Sequence, residues 1–274
     1  MSVFAGQQEL FLRSIKRRPG TELLCEYVFR PAAQLVVLAL RPLGVSPPAV
    51  VLSNTVCGLG AAIAIMRGHL VVGALLLQAK TVLDNADGQL ARATGRISVL
   101  GRYLDSESDL LVNAAVFAAL GSTTGEPFLA LAAFLVLTLV LSVDFNLERL
   151  YRRERGDERD ASPPARGIAG LLARVYAVVY GTQDRAIERF VERRLERLDA
   201  GTEVRLAYHD RASLFVLANF GLSTQLAVLG VCLAIGEPAA YCWFVIGCGV
   251  ALVPLFVRRE LRARRAQRPS TTRR

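Results

Sequence analysis

Five acidic residues, Asp84, Asp87, Asp105, Glu107 and Asp109, fall within "DNADGQLARATGRISVLGRYLDSESD", between two long apolar stretches. Ionisable groups in such surroundings are costly to keep, so the default reading is a functional role with a partner to be named. Placed on helices at about 100° per residue, Asp84, Asp87, Gly88 and Ala91 share roughly a 100° arc. Gly101, Asp105, Ser108 and Asp109 do the same on the helix that follows. Antiparallel neighbours joined by a short loop turn these arcs toward each other, and four carboxylates then converge. They repel strongly unless a cation sits among them. Hard oxygen ligands of this kind suit Mg²⁺, Mn²⁺ or Ca²⁺ rather than Zn²⁺. Gly88, Ala91 and Gly101 leave room for close approach by a helix or a ligand. Arg92 adds a guanidinium fork that matches phosphate. The chemistry these residues point to is phosphate chemistry at a divalent metal.

The elements that must position them are transmembrane helices. The chain has 274 residues, 53% of them hydrophobic, and a net charge of +9. The apolar excess over an average soluble domain is concentrated in blocks of about 20 residues, the length a helix needs to cross hydrocarbon. Six spans are expected, at 48–66, 70–92, 99–120, 127–147, 213–235 and 239–257. The connections "RGH", "GSTTGEP" and "GEPA" are short and nearly free of positive charge. Those on the other side, "RSIKRR", "RATGR", 149–211 and the tail "RRELRARRAQRPSTTRR", are rich in arginine. By the positive-inside rule both termini, the long loop and the acidic site face the cytoplasm, across a cytoplasmic (inner) membrane. The arginine-rich 149–197 region is read as a solvated surface facing lipid headgroups or, alternatively, as a site for a phosphorylated acceptor, and no nucleic-acid partner is expected. No cleavable signal peptide is expected, because the first thirty residues mix Gln7, Glu9, Arg13 and "KRR" with scattered apolar positions.

The fold class is therefore an all-α integral membrane protein with six transmembrane helices. An amphipathic helix over 22–41 lies in the cytoplasmic interface, ended by "RPLGVSPP". Within 149–211, "GDERDASPPARG" reads as a turn and 167–198 as a helix or helical hairpin against the membrane face. The organisation is a juxtamembrane segment at 1–47, a catalytic membrane domain at 48–257 carrying the 149–211 insertion, and a basic tail at 258–274. The five cysteines, Cys25, Cys57, Cys232, Cys242 and Cys248, are scattered without a CxxC and read as small hydrophobes.

Competing readings of the acidic stretch are specific. An EF-hand fails, since aligning Gly88 to the invariant glycine puts Leu83 first and Thr94 twelfth. An ion-coupling site in a transporter, or plain salt bridges with Arg92, stay open on these grounds alone. Among the remaining polar residues, Lys80 is one turn before Asp84 and pairs with it or reaches phosphate. Asn113, one turn beyond Asp109, lines an acceptor cavity or bonds another helix. Asp144, Asn146 and Glu148 end the fourth span, Asn219 and Gln225 sit in the fifth, and His209 with Asp210 reads as a solvated pair at the interface.

The spacing Asp84-x2-Asp87-Gly88-x2-Ala91-Arg92-x8-Gly101-x3-Asp105-x3-Asp109 resembles the signature of the CDP-alcohol phosphotransferase family at every defined position. The six-span plan and the leading amphipathic helix are also similar to that family. The resemblance implies a membrane transferase of phospholipid biosynthesis. Such an enzyme cleaves the diphosphate of a CDP-linked donor, transfers the phosphoryl-bearing group to an alcohol and releases CMP. The donor is CDP-diacylglycerol or, in the other arrangement within the family, a CDP-linked headgroup with a lipid alcohol as acceptor. It implies two divalent ions, Mg²⁺ or Mn²⁺, held by Asp84, Asp87 and Asp105, with Asp109 as the general base that also touches the second ion. Gly88, Ala91, Arg92 and Gly101 would line the CMP end, with Ser98 near a phosphate, and a homodimer is implied. One position departs from the family pattern. Where Pro-Asn-x-x-Thr is common, this chain has Pro47-Pro48-Ala49-Val50-Val51, which leaves only backbone contacts from Pro47 to Val50 on that side.

Overall fold

The computed structural model describes residues 18–157, 167, 170–171, 174, 177 and 180–267. Among them every regular element is helical. A π-helical turn, Cys25–Phe29, runs into α1 (Arg30–Leu40). Four long helices follow: α2 (Pro47–Met66), α3 (Leu70–Thr94), α4 (Val99–Thr124) and α5 (Pro127–Arg153). Beyond the segment that lies largely outside the described residues come α6 (Gly181–Arg197), α7 (Thr202–Tyr208) and α8 (Arg211–Ala218). The chain closes with α9 (Leu222–Ala234) and α10 (Pro238–Gln267).

Local chemistry sets several of these boundaries. Pro47 and Pro127 sit in the first turns of α2 and α5, where a missing N–H costs nothing. Gly95 ends α3 in the left-handed region at φ +67°, and Arg96 N–H closes the turn on Ala91 O at 2.9 Å. Ser98 then starts α4 as its N-cap, its hydroxyl accepting from Gly101 N–H at 2.9 Å. With so short a connection α3 and α4 run antiparallel, which brings the two acidic arcs to the same end of the bundle.

The core gathers α2, α3, α4, α5, α9 and α10 around Ile65, Leu77, Val112, Leu120, Leu137 and Val245, all buried. α2 packs against both site-bearing helices. Gly58 allows this closeness to α4, because a Cβ there would meet Val112 Cγ1 at 2.5 Å. α1 lays Ala33 and Val37 against Val50 of α2 and Ala86 and Leu90 of α3. Its opposite side exposes Leu35, and Tyr27 and Val28 are exposed in the turn before it.

Four helical stretches are long and apolar enough to cross a membrane: Pro47–Met66, Pro127–Arg153, Thr202–Ala234 and Pro238–Gln267. The chain is a multi-pass membrane protein. Of the six expected spans, α3 and α4 reach the length, at 25 and 26 residues, but the charges of the acidic stretch keep them from the same apolar standard. The fifth expected span, 213–235, falls almost wholly within the crossing stretch Thr202–Ala234, but its helix is interrupted. It breaks between α8 and α9, where Asn219 Nδ2 donates to Phe215 O at 2.8 Å and to Thr21 O at 2.9 Å, tying the break to the N-terminal segment. His209 and Asp210 also differ from the expected solvated pair, since both are buried. His209 Nδ1 lies 3.1 Å from the guanidinium Nη2 of Arg259. Asp210 caps α8 by accepting from Ser213 N–H at 3.1 Å and faces Arg258.

The helix expected within 167–198 is described from Gly181 onward as α6, and "GDERDASPPARG" lies mostly outside the described residues. α6 docks on α5 through polar contacts. Asn146 Nδ2 donates to Asp184 Oδ1 at 2.6 Å, and Ser142 Oγ to Gln183 Oε1 at 2.9 Å.

Candidate active site

Asp84 and Asp87 leave α3 one turn apart, and Asp105 and Asp109 leave α4 in the same way, so each pair shares a helix face. Across the helix interface, Asp84, Asp105 and Asp109 each offer a carboxylate oxygen, and these three atoms lie within 4.8 Å of one another. All three residues are half-buried. Asp87 is more deeply buried and stands outside this trio, next to Asp84.

Two side chains hold the carboxylates in place. Asn54 of α2, fully buried at 0% exposure, directs Nδ2 to Asp84 Oδ1 and to Asp87 Oδ2, each at 3.3 Å. Lys80, at 1% exposure, donates to Asp84 Oδ1 at 3.0 Å and to Asp109 Oδ1 across the interface. Sequence reasoning placed Lys80 beside Asp84 but missed Asp109 as its second partner. It missed Asn54 altogether, and the only signal was an amide side chain within the apolar run of α2.

The trio suits a hard divalent cation by composition and by geometry. Carboxylate oxygens are the ligands Mg²⁺ and Mn²⁺ prefer. In addition, Asp105 Oδ1 is buried with no hydrogen-bond partner, an expensive state for a carboxylate oxygen that a cation would relieve.

The other expected site residues lie on α3, at the start of α4 and at the start of α2. Arg92 folds back over Gly88, where a Cβ would come 3.2 Å from its Nη1. Gly101 lies against the Ser98 hydroxyl, where a Cβ would come 3.0 Å from Oγ. The Ser98 oxygen is thus engaged in capping α4. Ala91 is half-buried on the Asp84 arc of α3. Pro47 is buried at the start of α2, and the Val50 side chain packs into the α1–α3 core. Asn113 is buried one turn beyond Asp109. Asp144, Glu148 and Asn146 serve other contacts, the first two with Arg18 and the third with Asp184.

No solved structure matches the chain. Among curated proteins, the "Bifunctional IPC transferase and DIPP synthase" of Thermococcus kodakarensis is 34% identical over 102 residues, 37% of this chain. The chain spans about a quarter of that relative's length, the matched part being 24% of it. The sequence profile of the CDP-alcohol phosphatidyltransferase family matches residues 45–187, from the start of α2 into α6 and across the whole acidic stretch. With more than half of its length matched in this way, the chain belongs to the CDP-alcohol phosphatidyltransferase family.

Proposed function

We propose that this enzyme transfers a phosphatidyl group from CDP-diacylglycerol to a small alcohol with release of CMP, as a step of phospholipid biosynthesis. The observation that carries the reading is the meeting of Asp84, Asp105 and Asp109 oxygens within 4.8 Å, at the end of α3 and α4 where Arg92 lies over Gly88. Family members depend on divalent metal ions. Asp84, Asp87 and Asp105 are assigned as the residues that hold two ions, Mg²⁺ or Mn²⁺, with Asp109 contributing to the second. When bound, the ions supply charge stabilisation to the donor diphosphate. Arg92 binds a donor phosphate through its fork. Gly88, Ala91 and Gly101 let the nucleotide approach the backbone, with Ser98 and the backbone from Pro47 to Val50 at its edge. Asp109 accepts the proton of the acceptor hydroxyl. Asn54 keeps Asp84 and Asp87 oriented, as partners of ligating carboxylates do.

The membrane arrangement follows from charge. Both termini, the 149–211 segment and the site face the cytoplasm, the membrane is the inner one, α3 and α4 complete a set of six spans, and α1 lies in the interface with Leu35 toward lipid. The units are 1–47, 48–257 and 258–274, and the protein acts as a homodimer. A transporter has no support from the family or its relative. A CDP-linked headgroup donor with a lipid alcohol acceptor stands as a second reading, because the relative's name is not that of a phosphatidyltransferase.

The test is CMP release by detergent-purified protein with CDP-diacylglycerol or CDP-linked headgroups, each against a panel of alcohols. CMP is expected with CDP-diacylglycerol, lost with chelator and restored by Mg²⁺ or Mn²⁺. CMP only from a CDP-linked headgroup favours the second reading, and no CMP from any donor sinks both.

A further inference from the structure

Lys80 has no assigned place in the transfer reaction, yet it lies at the centre of the carboxylate group. Its side chain is 1% exposed, and its ammonium touches Asp84 Oδ1 in its own helix and Asp109 Oδ1 in α4. These two residues supply two of the three oxygens that converge within 4.8 Å. The third, Asp105, has a buried oxygen without a partner, so the single ammonium does not satisfy the whole group. A divalent ion drawn to these oxygens meets a like charge already bound to two of them. In a site of low effective dielectric, repulsion at such range is large.

We propose that Lys80 is a built-in counter-ion of this site, and that loading with a divalent ion is an exchange in which the ion takes Asp84 and Asp109 from the ammonium. The proposal rests on the assignment of these aspartates as metal ligands. Without the ion, Lys80 tethers α3 to α4 and offsets carboxylate repulsion. With it, the ammonium opposes the bound ion and keeps its affinity moderate. A salt bridge with only a structural role behaves differently, because its loss lowers stability equally with and without metal and leaves metal affinity unchanged or weaker.

The experiment compares wild type, Lys80→Gln, which keeps a donor but loses the charge, and Lys80→Arg, which keeps the charge. Mn²⁺ binding is followed by electron paramagnetic resonance on detergent-purified protein, and melting is recorded in chelator and in Mn²⁺. Lys80→Gln should bind Mn²⁺ at least about 10-fold more tightly than wild type, whereas Lys80→Arg should stay within about 3-fold. Lys80→Gln should also melt earlier than wild type in chelator and gain more from Mn²⁺. Equal or weaker Mn²⁺ affinity in Lys80→Gln, or an equal gain in melting temperature, overturns the exchange. So does a Lys80→Gln protein that fails to fold even in Mn²⁺ while Lys80→Arg folds. If wild type itself binds no Mn²⁺, the ligand assignment has failed and the exchange falls with it.

Discussion

Asp84, Asp105 and Asp109 look alike in sequence, and the roles proposed for them are ones that substitution should separate. Asp84→Asn and Asp105→Asn each remove a charged oxygen from the convergent trio while keeping size and shape. Both should abolish CMP release with the fold intact, as checked by melting and by gel filtration. Near-normal turnover in either variant breaks the assignment of these residues as metal ligands. Asp109→Asn should still bind metal and donor through the remaining carboxylates, yet transfer should fall by at least about 10²-fold. Arg92→Ala should do the opposite, weakening donor binding by about 1.5–3 kcal/mol through loss of a charge-assisted contact. Nucleotide titration and single-turnover CMP release separate the two. An Asp109→Asn protein that loses donor affinity but keeps its single-turnover rate makes Asp109 a ligand only.

At the scale of elements, helix period made the two acidic faces readable, and the boundaries of α2, α3, α4 and α5 begin within a residue of those expected. The partner helix for those faces was harder to read, because α2 is apolar along most of its length. Its approach depends on Gly58, four residues beyond Asn54, set against Val112, three residues beyond Asp109. Val112 is β-branched and has little freedom to swing away. Gly58→Ala should therefore push α2 from α4, at a cost of about 1–3 kcal/mol, seen as a lower melting temperature in detergent. Because Asn54 and Asp109 lie one turn away, activity should fall with it. Adding Val112→Ala should recover much of both losses, and a strictly additive double variant would show that the two positions do not press on each other.

For the molecule as a whole, the N-terminal segment before α1 works as a strap across helices distant in sequence. Arg18 donates to Asp144 and to Glu148 of α5, each at 2.7 Å. Burial opposes the Arg18 charge, but the two carboxylates outweigh it and raise its pKa. Leu23 N–H donates to Asn219 Oδ1 at 3.0 Å, and Glu22 Oε1 accepts from Thr224 N–H at 2.9 Å. Burial pushes the Glu22 carboxyl above its usual range, while the Thr224 contacts pull it back. Gly20 passes so close to α8 that a Cβ would lie 2.3 Å from Leu214 O. Arg18→Ala should remove a charge-assisted contact from Asp144 and from Glu148, which keeps Arg152, and cost about 1.5–3 kcal/mol. Limited proteolysis should then cut first within residues 18–24, ahead of the helical bundle. Equal protection of this segment in wild type and variant would show that the strap does not depend on Arg18.

The sequence alone determined whatever repeats with the period of a helix or the thickness of a bilayer. Apolar blocks, the start points of the long helices and the shared faces of Asp84 with Asp87 and of Asp105 with Asp109 are local properties. They follow from about 3.6 residues per turn and about 20 residues per crossing. Tertiary packing alone decided which groups meet those faces. Asn54 reaches Asp84 and Asp87, and Lys80 reaches Asp109, only once α2, α3 and α4 have a fixed rotation and offset. His209 and Asp210 read as solvated because their neighbours in sequence are polar, yet Arg259 and Arg258 arrive from α10 to meet them. The break at Asn219 lies inside an apolar run, and its partners, Thr21 and Leu23, come from nearly two hundred residues away. Contacts of this kind depend on how side chains interlock across helices, and no period along the chain records it.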